Sequence, residues 1–302
     1  MAAAYEFIRY EVEDHVATIT IDRPEVLNAI HPPASAELQD AWRRVREDPQ
    51  VWVAILTGAG ERAFCAGMDL KWAAAHAEAR RRRNTPDLSV HFGGLVDAPD
   101  RFNLWKPVIA AVNGVAAGGG CEMALACDIV VAAEHARFGQ PEVKRGLIAV
   151  AGGVHCLPRQ IPPKIALRLL LTGRLISAQE AHRLGLVNEV VPSTDTADTA
   201  DSGGAASTGT AGDSPLSGAA SGTGPTSPVL AAARRWAAEI MAASPLAVQA
   251  TKQAALLGLD QPLSDAIGEA QYPAIQRLRA SEDPVEGPQA FAEKRPPRWT
   301  PL

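Results

Sequence analysis

An α/β fold is predicted for this chain by three observations. Short continuous apolar runs ending in turn or charged residues occur at 51–58 (VWVAILTG), 106–114 (KPVIAAVNG) and 128–134 (DIVVAAE), the pattern of strands buried on both faces. An amphipathic helical pattern separates the first of these from an N-terminal pair of alternating runs. Strand and helix patterns then alternate along the chain, which argues for packed layers of the α/β kind.

FIRYEV and VATITI, joined by EDH, read as a hairpin, with Ala17, Ile19 and Ile21 on one face at period two. His15 falls in the turn and is read as a turn residue, because His tolerates positive φ better than bulky residues do. Prolines interrupt at 23–33 (RPEVLNAIHPP) before a helix over 34–48, where Leu38, Ala41, Trp42 and Val45 repeat at helical spacing. After Gly139 the chain turns helical. Ser177, with Glu180 three residues on, marks a helix start as a capping box, and Gly185 a stop. LVNEVV reads as a short strand. Helices resume at 229–241 and at 244–258, where Ser244 and Pro245 fit the N-cap and first helical positions, and again across 265–279.

Between them, residues 193–228 hold one large apolar residue, Leu216, no aromatic and no Lys or Arg. Such a segment buries too little surface to offset the entropy of ordering it, so a disordered insertion is expected. The organisation predicted is a core over 1–192, this insertion, and a C-terminal helical oligomerisation segment over 229–302.

Composition narrows the function classes. With 47% hydrophobic and 21% charged residues the chain resembles an ordinary globular protein able to bury a sizeable core. A formal charge of -5 gives no electrostatic reason to expect nucleic acid as a partner. The four cysteines show no CxxC spacing and no His/Cys cluster has zinc-ligand spacing, so a reduced, cytoplasmic protein without structural metal is expected. The N-terminus lacks a secretory pattern, and the uncharged run at 107–121 is too short to span a membrane.

The chemistry centres on AAGGGCEMALACD, residues 116–128. Neither GxxxxGK[ST] nor GxGxxG is present, which removes a phosphate loop. The glycines alone leave two readings: close packing of a helix on a sheet, or helix N-terminal N–H groups offered to negative charge. A second glycine turn, AFCAGMDL at 63–70, also comes after a buried strand and precedes a helix. Two N–H donors from two such turns can converge on one carbonyl oxygen as an oxyanion hole.

With RPEVLNAI, KPVIAAVNGVAAGGGCEMALACDIVVA, ARFGQPEVKRGL and LTGRLISAQEAHRLGLVNEVV in this order, the chain resembles the crotonase superfamily of coenzyme A thioester enzymes, and within it an enoyl-CoA hydratase. The match covers Tyr5 to Val191 and resumes at Val229. The resemblance implies the crotonase (ClpP/crotonase-like) fold, a spiral of ββα units with a C-terminal helical segment that makes homotrimers or hexamers. It implies an acyl-CoA substrate, with coenzyme A part of the substrate and no metal or other cofactor. The N–H groups of Met68 and Gly119 then form the oxyanion hole, and Glu122 and Glu142 act as the catalytic pair. Ala66, Gly67, Asp69, Leu70, Leu27 and Asn28 fall at substrate-binding positions, while Phe291 and Lys294 match tail positions that reach the coenzyme of a neighbouring subunit. Syn addition of water to a 2-enoyl thioester puts oxygen on C3 and a proton on C2, work that two carboxyl groups can divide.

The same residues admit competing readings. Another crotonase reaction, double-bond isomerisation or a specialised acyl-CoA dehydration, uses the same hole; a non-catalytic CoA- or RNA-binding homologue does not need both glutamates. Cys121, at a helix start, is a conceivable nucleophile, but no His is placed to activate it, and a small buried thiol is preferred. Asp69 and Asp128 read as capping or pairing residues. The arginines at 80–83 read as a solvated basic face, with contact to coenzyme phosphates the alternative. The acyl pocket is expected within 72–105, which includes Trp72, Phe92, Leu95 and Trp105.

Overall fold

The computed structural model describes residues 5–76, 95, 103–192 and 227–299. The arginines at 80–83, Phe92, and residues 193–226 of the insertion predicted over 193–228 lie outside the described residues; its last two residues, Ser227 and Pro228, instead cap and open a helix.

The chain opens with the hairpin β1 (Ile8–Glu13) and β2 (Val16–Ile21), antiparallel in register Ile8 to Ile21. Asp14 and His15 turn it with φ of 46° and 65°, the doubly left-handed turn whose twist matches a hairpin. His15 stacks on Trp52 at 4.4 Å and its Nδ1 meets the Gln50 carbonyl at 2.7 Å. Helix α1 (Pro32–Glu47) starts two residues earlier than its apolar periodicity indicates. Pro32 and Pro33 occupy its first turn, where the missing N–H groups have no intrahelical acceptor. Leu38, Ala41, Trp42 and Val45 all face the core.

Next come β3 (Val53–Gly58), β4 (Ala63–Cys65) and α2 (Leu70–Ala75); then β5 (Val108–Val112), β6 (Val115–Ala117) and α3 (Gly119–Ala126); then β7 (Ile129–Ala133), β8 (Arg137–Gly139) and a 3-10 turn (Pro141–Arg145). Each repeat therefore puts one strand in each of two sheets before its helix or turn. Helices α4 (Gly153–Gln160) and α5 (Pro163–Thr172), strand β9 (Ile176–Ser177), helix α6 (Ala178–Arg183) and strand β10 (Glu189–Val191) complete this part. The larger sheet has the order β1-β2-β3-β5-β7-β10, parallel except at β1. The smaller has the order β4-β6-β8-β9, with β9 alone antiparallel.

The inner strands β2, β3 and β5 of the larger sheet are buried on both faces, and strand alternation sorts their residues. Ala54, Leu56, Val108, Ala110 and Val112 join one core with α1 and α3, while Val53, Ile55, Ile109 and Ala111 join the other. That second face is covered by α7 (Pro228–Met241) through Val229, Ala232, Ala233 and Ala237, so the helix after residues 193–226 is a layer of the sheet domain itself. Ser177 and Ser244 cap as predicted, accepting from the Glu180 and Ala247 N–H groups. The Glu180 carboxylate instead pairs with Arg168 at 2.8 Å.

Helix α8 (Pro245–Gly258) docks through Lys252, whose Nζ reaches Asp128 at 2.6 Å; the same carboxylate accepts the Val108 N–H at 2.7 Å. The single helix predicted across 265–279 is broken. It becomes α9 (Leu263–Ala266), a 3-10 turn (Glu269–Gln271) and α10 (Pro273–Arg279), because Gly268 and Pro273 interrupt it. Helix α11 (Asp283–Glu293) ends the set. Among the described residues no helix is long and apolar enough to cross a membrane.

Candidate active site

Three adjacent parallel strands build the site. β4, β6 and β8 end at Cys65, Ala117 and Gly139, with Cys65 in register with Ala116 and Ala117 with Gly139. The segments leaving these strands must emerge side by side at one edge, the usual location of sites in open α/β sheets. Those segments are Ala66–Gly67–Met68–Asp69, the glycines at 118–120, and Gln140–Pro141–Glu142. Alternation of strands between two sheets thus gathers sequence pieces up to about 75 residues apart.

The bare backbone has two separate uses here. A Cβ on Gly120 would lie 2.0 Å from the Cys65 carbonyl oxygen, so Gly120 permits α3 to pack against the end of β4. Gly67 has φ of 88°, and a Cβ there would sit 2.8 Å from the Ala117 oxygen and 3.0 Å from the Gly119 nitrogen. The two turns are therefore in contact, and Gly119 opens α3, where an N–H has no intrahelical acceptor.

The Met68 N–H is aimed by pairing with the segment after β2. Ile30 donates to the Gly67 carbonyl and accepts from the Asp69 N–H, each at 2.8 Å, forming a parallel bridge with Met68. In such a bridge the central residue's own N–H and C=O point away from the partner strand. Leu27 accepts the Ala66 N–H at 3.0 Å. Asn28 is fully buried, its Nδ2 donating to the Ala59 and Ala63 carbonyls at 3.0 and 2.7 Å. These two residues brace the turn from behind. Asp69 caps α2 by accepting the Trp72 N–H at 3.0 Å, and Leu70, the first residue of α2, is 44% exposed. Phe291 and Lys294 do not join this group within one chain: both are exposed at the end of α11, Phe291 at 87%.

Glu122 lies in the first turn of α3, only 3% exposed, and accepts the Gly153 N–H at 2.8 Å. Burial, reinforced by the charge of Glu142, pushes its pKa up to about 7 against backbone hydrogen bonds that pull it down. Burial raises Glu142 as well. Its Oε1 would lie 3.1 Å from a Cβ placed on Gly118, so it borders the glycine turn. Gln140 is 1% exposed; with its amide nitrogen turned to the site it donates to Glu142 Oε1 at 3.1 Å and the Gly118 carbonyl at 3.3 Å. Burial thus raises both carboxyls of the pair, and two positioned carboxyls of this kind can divide the work of base and acid.

Cys121 is buried, and its thiol is pushed up to about 12 by burial and by the two nearby carboxylates. At neutral pH it is a thiol, not a nucleophilic thiolate. Among the described residues no group of three or more His, Cys, Asp or Glu is arranged to hold a metal ion.

The raised Glu122 pKa has a sign in stability. Protonated Glu122 suits the fold, so its contribution is fully present below about pH 4.5 and lost as pH rises through about 7. Glu122→Gln does not titrate. Its stability advantage over the wild type is expected to grow by about 3 kcal/mol between pH 4.5 and 8, several degrees of melting temperature. Melting curves at the two pH values check this; an equal gap at both contradicts the buried, proton-holding carboxyl.

Known proteins resemble this chain over most of its length. Residues 11–204 match the family described as enoyl-CoA hydratase/isomerase. The chain is 41% identical over 292 residues to (E)-benzylidenesuccinyl-CoA hydratase of Thauera aromatica, covering 97% of this chain and 98% of that protein. It is 39% identical over 290 residues to carnitinyl-CoA dehydratase of Escherichia coli K12, covering 94% of each. Among solved structures, an enoyl-CoA hydratase of Mycobacterium marinum superposes with TM-score 0.77 at 37% identity, covering 98% of this chain and 99% of that one.

Proposed function

This chain belongs to the enoyl-CoA hydratase/isomerase family, and from that premise we propose that it adds water reversibly to a trans-2-enoyl-CoA, giving the 3-hydroxyacyl-CoA. One observation carries the reading: two carboxyls with raised pKa, the buried Glu122 and the half-buried Glu142, flank the turn that presents the Gly119 N–H. The thioester oxygen sits between the Met68 and Gly119 N–H groups. Negative charge accumulating on that oxygen as water attacks C3 meets donors already in place, at no reorganisation cost. One carboxylate takes a proton from the attacking water as the other carboxyl delivers a proton to C2. Addition of water moves no electrons to or from an external acceptor, so the proposal needs no redox group; it invokes no metal, and coenzyme A arrives with the substrate.

The test uses two substrates. The protein is expected to bleach the conjugated absorbance of a trans-2-enoyl-CoA, and to convert a 3-enoyl-CoA slowly or not at all. Efficient formation of the 2-enoyl form from the 3-enoyl one, without net hydration, would make it an isomerase. A second reading is favoured by the relatives named for benzylidenesuccinyl-CoA and carnitinyl-CoA: a hydratase or dehydratase of a substituted acyl chain. A rate screen over plain, aryl-substituted and polar enoyl thioesters separates the two.

Self-association as a trimer or hexamer belongs to the same proposal. Leu256, Leu259, Leu263 and Ile267, along α8, α9 and the residues adjoining them, are 45%, 81%, 75% and 68% exposed, an apolar strip suited to burial against another copy. In such an assembly Phe291 and Lys294 would be free to meet a neighbour's coenzyme. A monomeric mass by light scattering would remove this part.

A further inference from the structure

The Met68 N–H is aimed only as well as the segment that pairs with its turn, and a buried side chain ties the two together. Arg23 lies just after β2 with its side chain 12% exposed, and the Asp69 side chain is 9% exposed. The guanidinium donates through Nη1 to the Ala29 carbonyl and through Nη2 to Asp69 Oδ2 at 3.2 Å. Its third neighbour is the Phe7 ring, 5.7 Å from the guanidinium carbon.

The two acceptors are placed informatively. Ala29 immediately precedes Ile30, which holds the Gly67 carbonyl and the Asp69 N–H; Asp69 is the residue directly after Met68. Arg23 therefore grips both strands of the one-residue bridge, outside its hydrogen bonds. Its own backbone closes the loop, since Arg23 N–H donates to Asn28 Oδ1 at 3.0 Å and its carbonyl accepts the Asn28 N–H at 2.9 Å. We propose that Arg23 is a positioning residue for the oxyanion hole: its fork, held between the Ala29 carbonyl and the Asp69 carboxylate, sets the direction of the Met68 N–H.

A planar fork suits this task because it reaches two acceptors at once in fixed geometry; an ammonium is a single point. Two buried charges are otherwise a poor route to stability, since their desolvation offsets most of their attraction. A positioning role gives the pair a reason beyond stability. The inference rests on the reading of Met68 as a hole donor.

The experiment uses the full-length protein and the variants Arg23→Lys, Arg23→Gln and Arg23→Gln combined with Asp69→Asn. Folding is monitored by circular dichroism, and kcat and KM are measured on an enoyl thioester. Polarisation of the carbonyl is read separately, as the red shift of an aryl-conjugated thioester bound in the Glu122→Gln background, where turnover is suppressed. Donors to the developing oxyanion act mainly in the transition state, so Arg23→Lys is expected to lower kcat by about 10- to 10²-fold with KM within about twofold. The red shift should shrink in parallel. The doubly neutral variant should fold yet stay slow. Wild-type kcat and full red shift in Arg23→Lys would overturn the proposal. So would full recovery of kcat in the double variant, since the pair would then serve only to neutralise itself. If Arg23→Gln fails to fold, the other two variants decide. Failure of the hydratase reading looks different: the wild type itself would not hydrate the thioester, whether or not the bound thioester shows a red shift.

Discussion

Replacing Glu122 or Glu142 by glutamine is expected to slow hydration of a trans-2-enoyl-CoA by about 10²-fold or more in kcat, with the fold intact. Glutamine keeps the volume and an oxygen acceptor, so the Gly153 N–H at position 122 and the Gln140 amide at position 142 still find partners. The proton is lost. General acid–base catalysis by a positioned side chain is worth typically about 10² to 10⁴ in rate, or about 2.7 kcal/mol of barrier for each factor of 10². Because the two carboxyls act on one water, the losses should not add: the double variant should be little slower than the worse single one. Steady-state kinetics of the three variants check this. Near-normal turnover in either single variant contradicts the two-carboxyl mechanism.

Gly67→Ala is expected to reduce kcat by about 10²-fold or more through the oxyanion hole, without touching either glutamate. Its new Cβ would fall 2.8 Å from the Ala117 oxygen and 3.0 Å from the Gly119 nitrogen, at a φ of 88° that alanine resists. The AGMD turn must then back away from the glycine turn, and the two N–H groups can no longer meet on one oxygen. Loss of one hole donor typically costs about 10² to 10³ in kcat. KM should change far less, since the ground-state carbonyl leans on the hole only weakly. Gly146→Ala is a useful contrast: its φ is also positive, but nothing lies within 4 Å of its Cβ. It should lose some stability and keep most of its kcat. Equal kinetic losses in the two variants would mean that backbone strain, not the hole, is responsible.

Much of this arrangement is legible from the chain because local pattern and burial coincide. The α1 face comes from helical spacing, and the strands of the larger sheet from apolar runs bounded by turns. Spacing alone leaves both uses of the glycine run open; contacts assign Gly120 to packing and put Gly67 against Gly119. Features that depend on partners distant in sequence are not legible. Gln140 sits beside Glu142 within a recognised motif, yet its second acceptor, the Gly118 carbonyl, belongs to the neighbouring strand end. The donor to Glu122 comes from Gly153, in a glycine pair that gives no hint of a carboxylate partner. Arg23 reads as the start of a proline-interrupted loop, although its partner Asp69 is 46 residues away. Helix α7 covers strands that precede it by about 100 residues or more, which no local periodicity reveals.

The most direct test of hydration at this site tracks the oxygen atom. The wild-type protein is incubated with a trans-2-enoyl-CoA in ¹⁸O-water, and the product is analysed by mass spectrometry. One ¹⁸O at C3 of a 3-hydroxyacyl-CoA, formed about 10²-fold or more slowly by Glu122→Gln and Glu142→Gln, is the expected result. An unchanged thioester, or a product that has moved its double bond without gaining labelled oxygen, would contradict it.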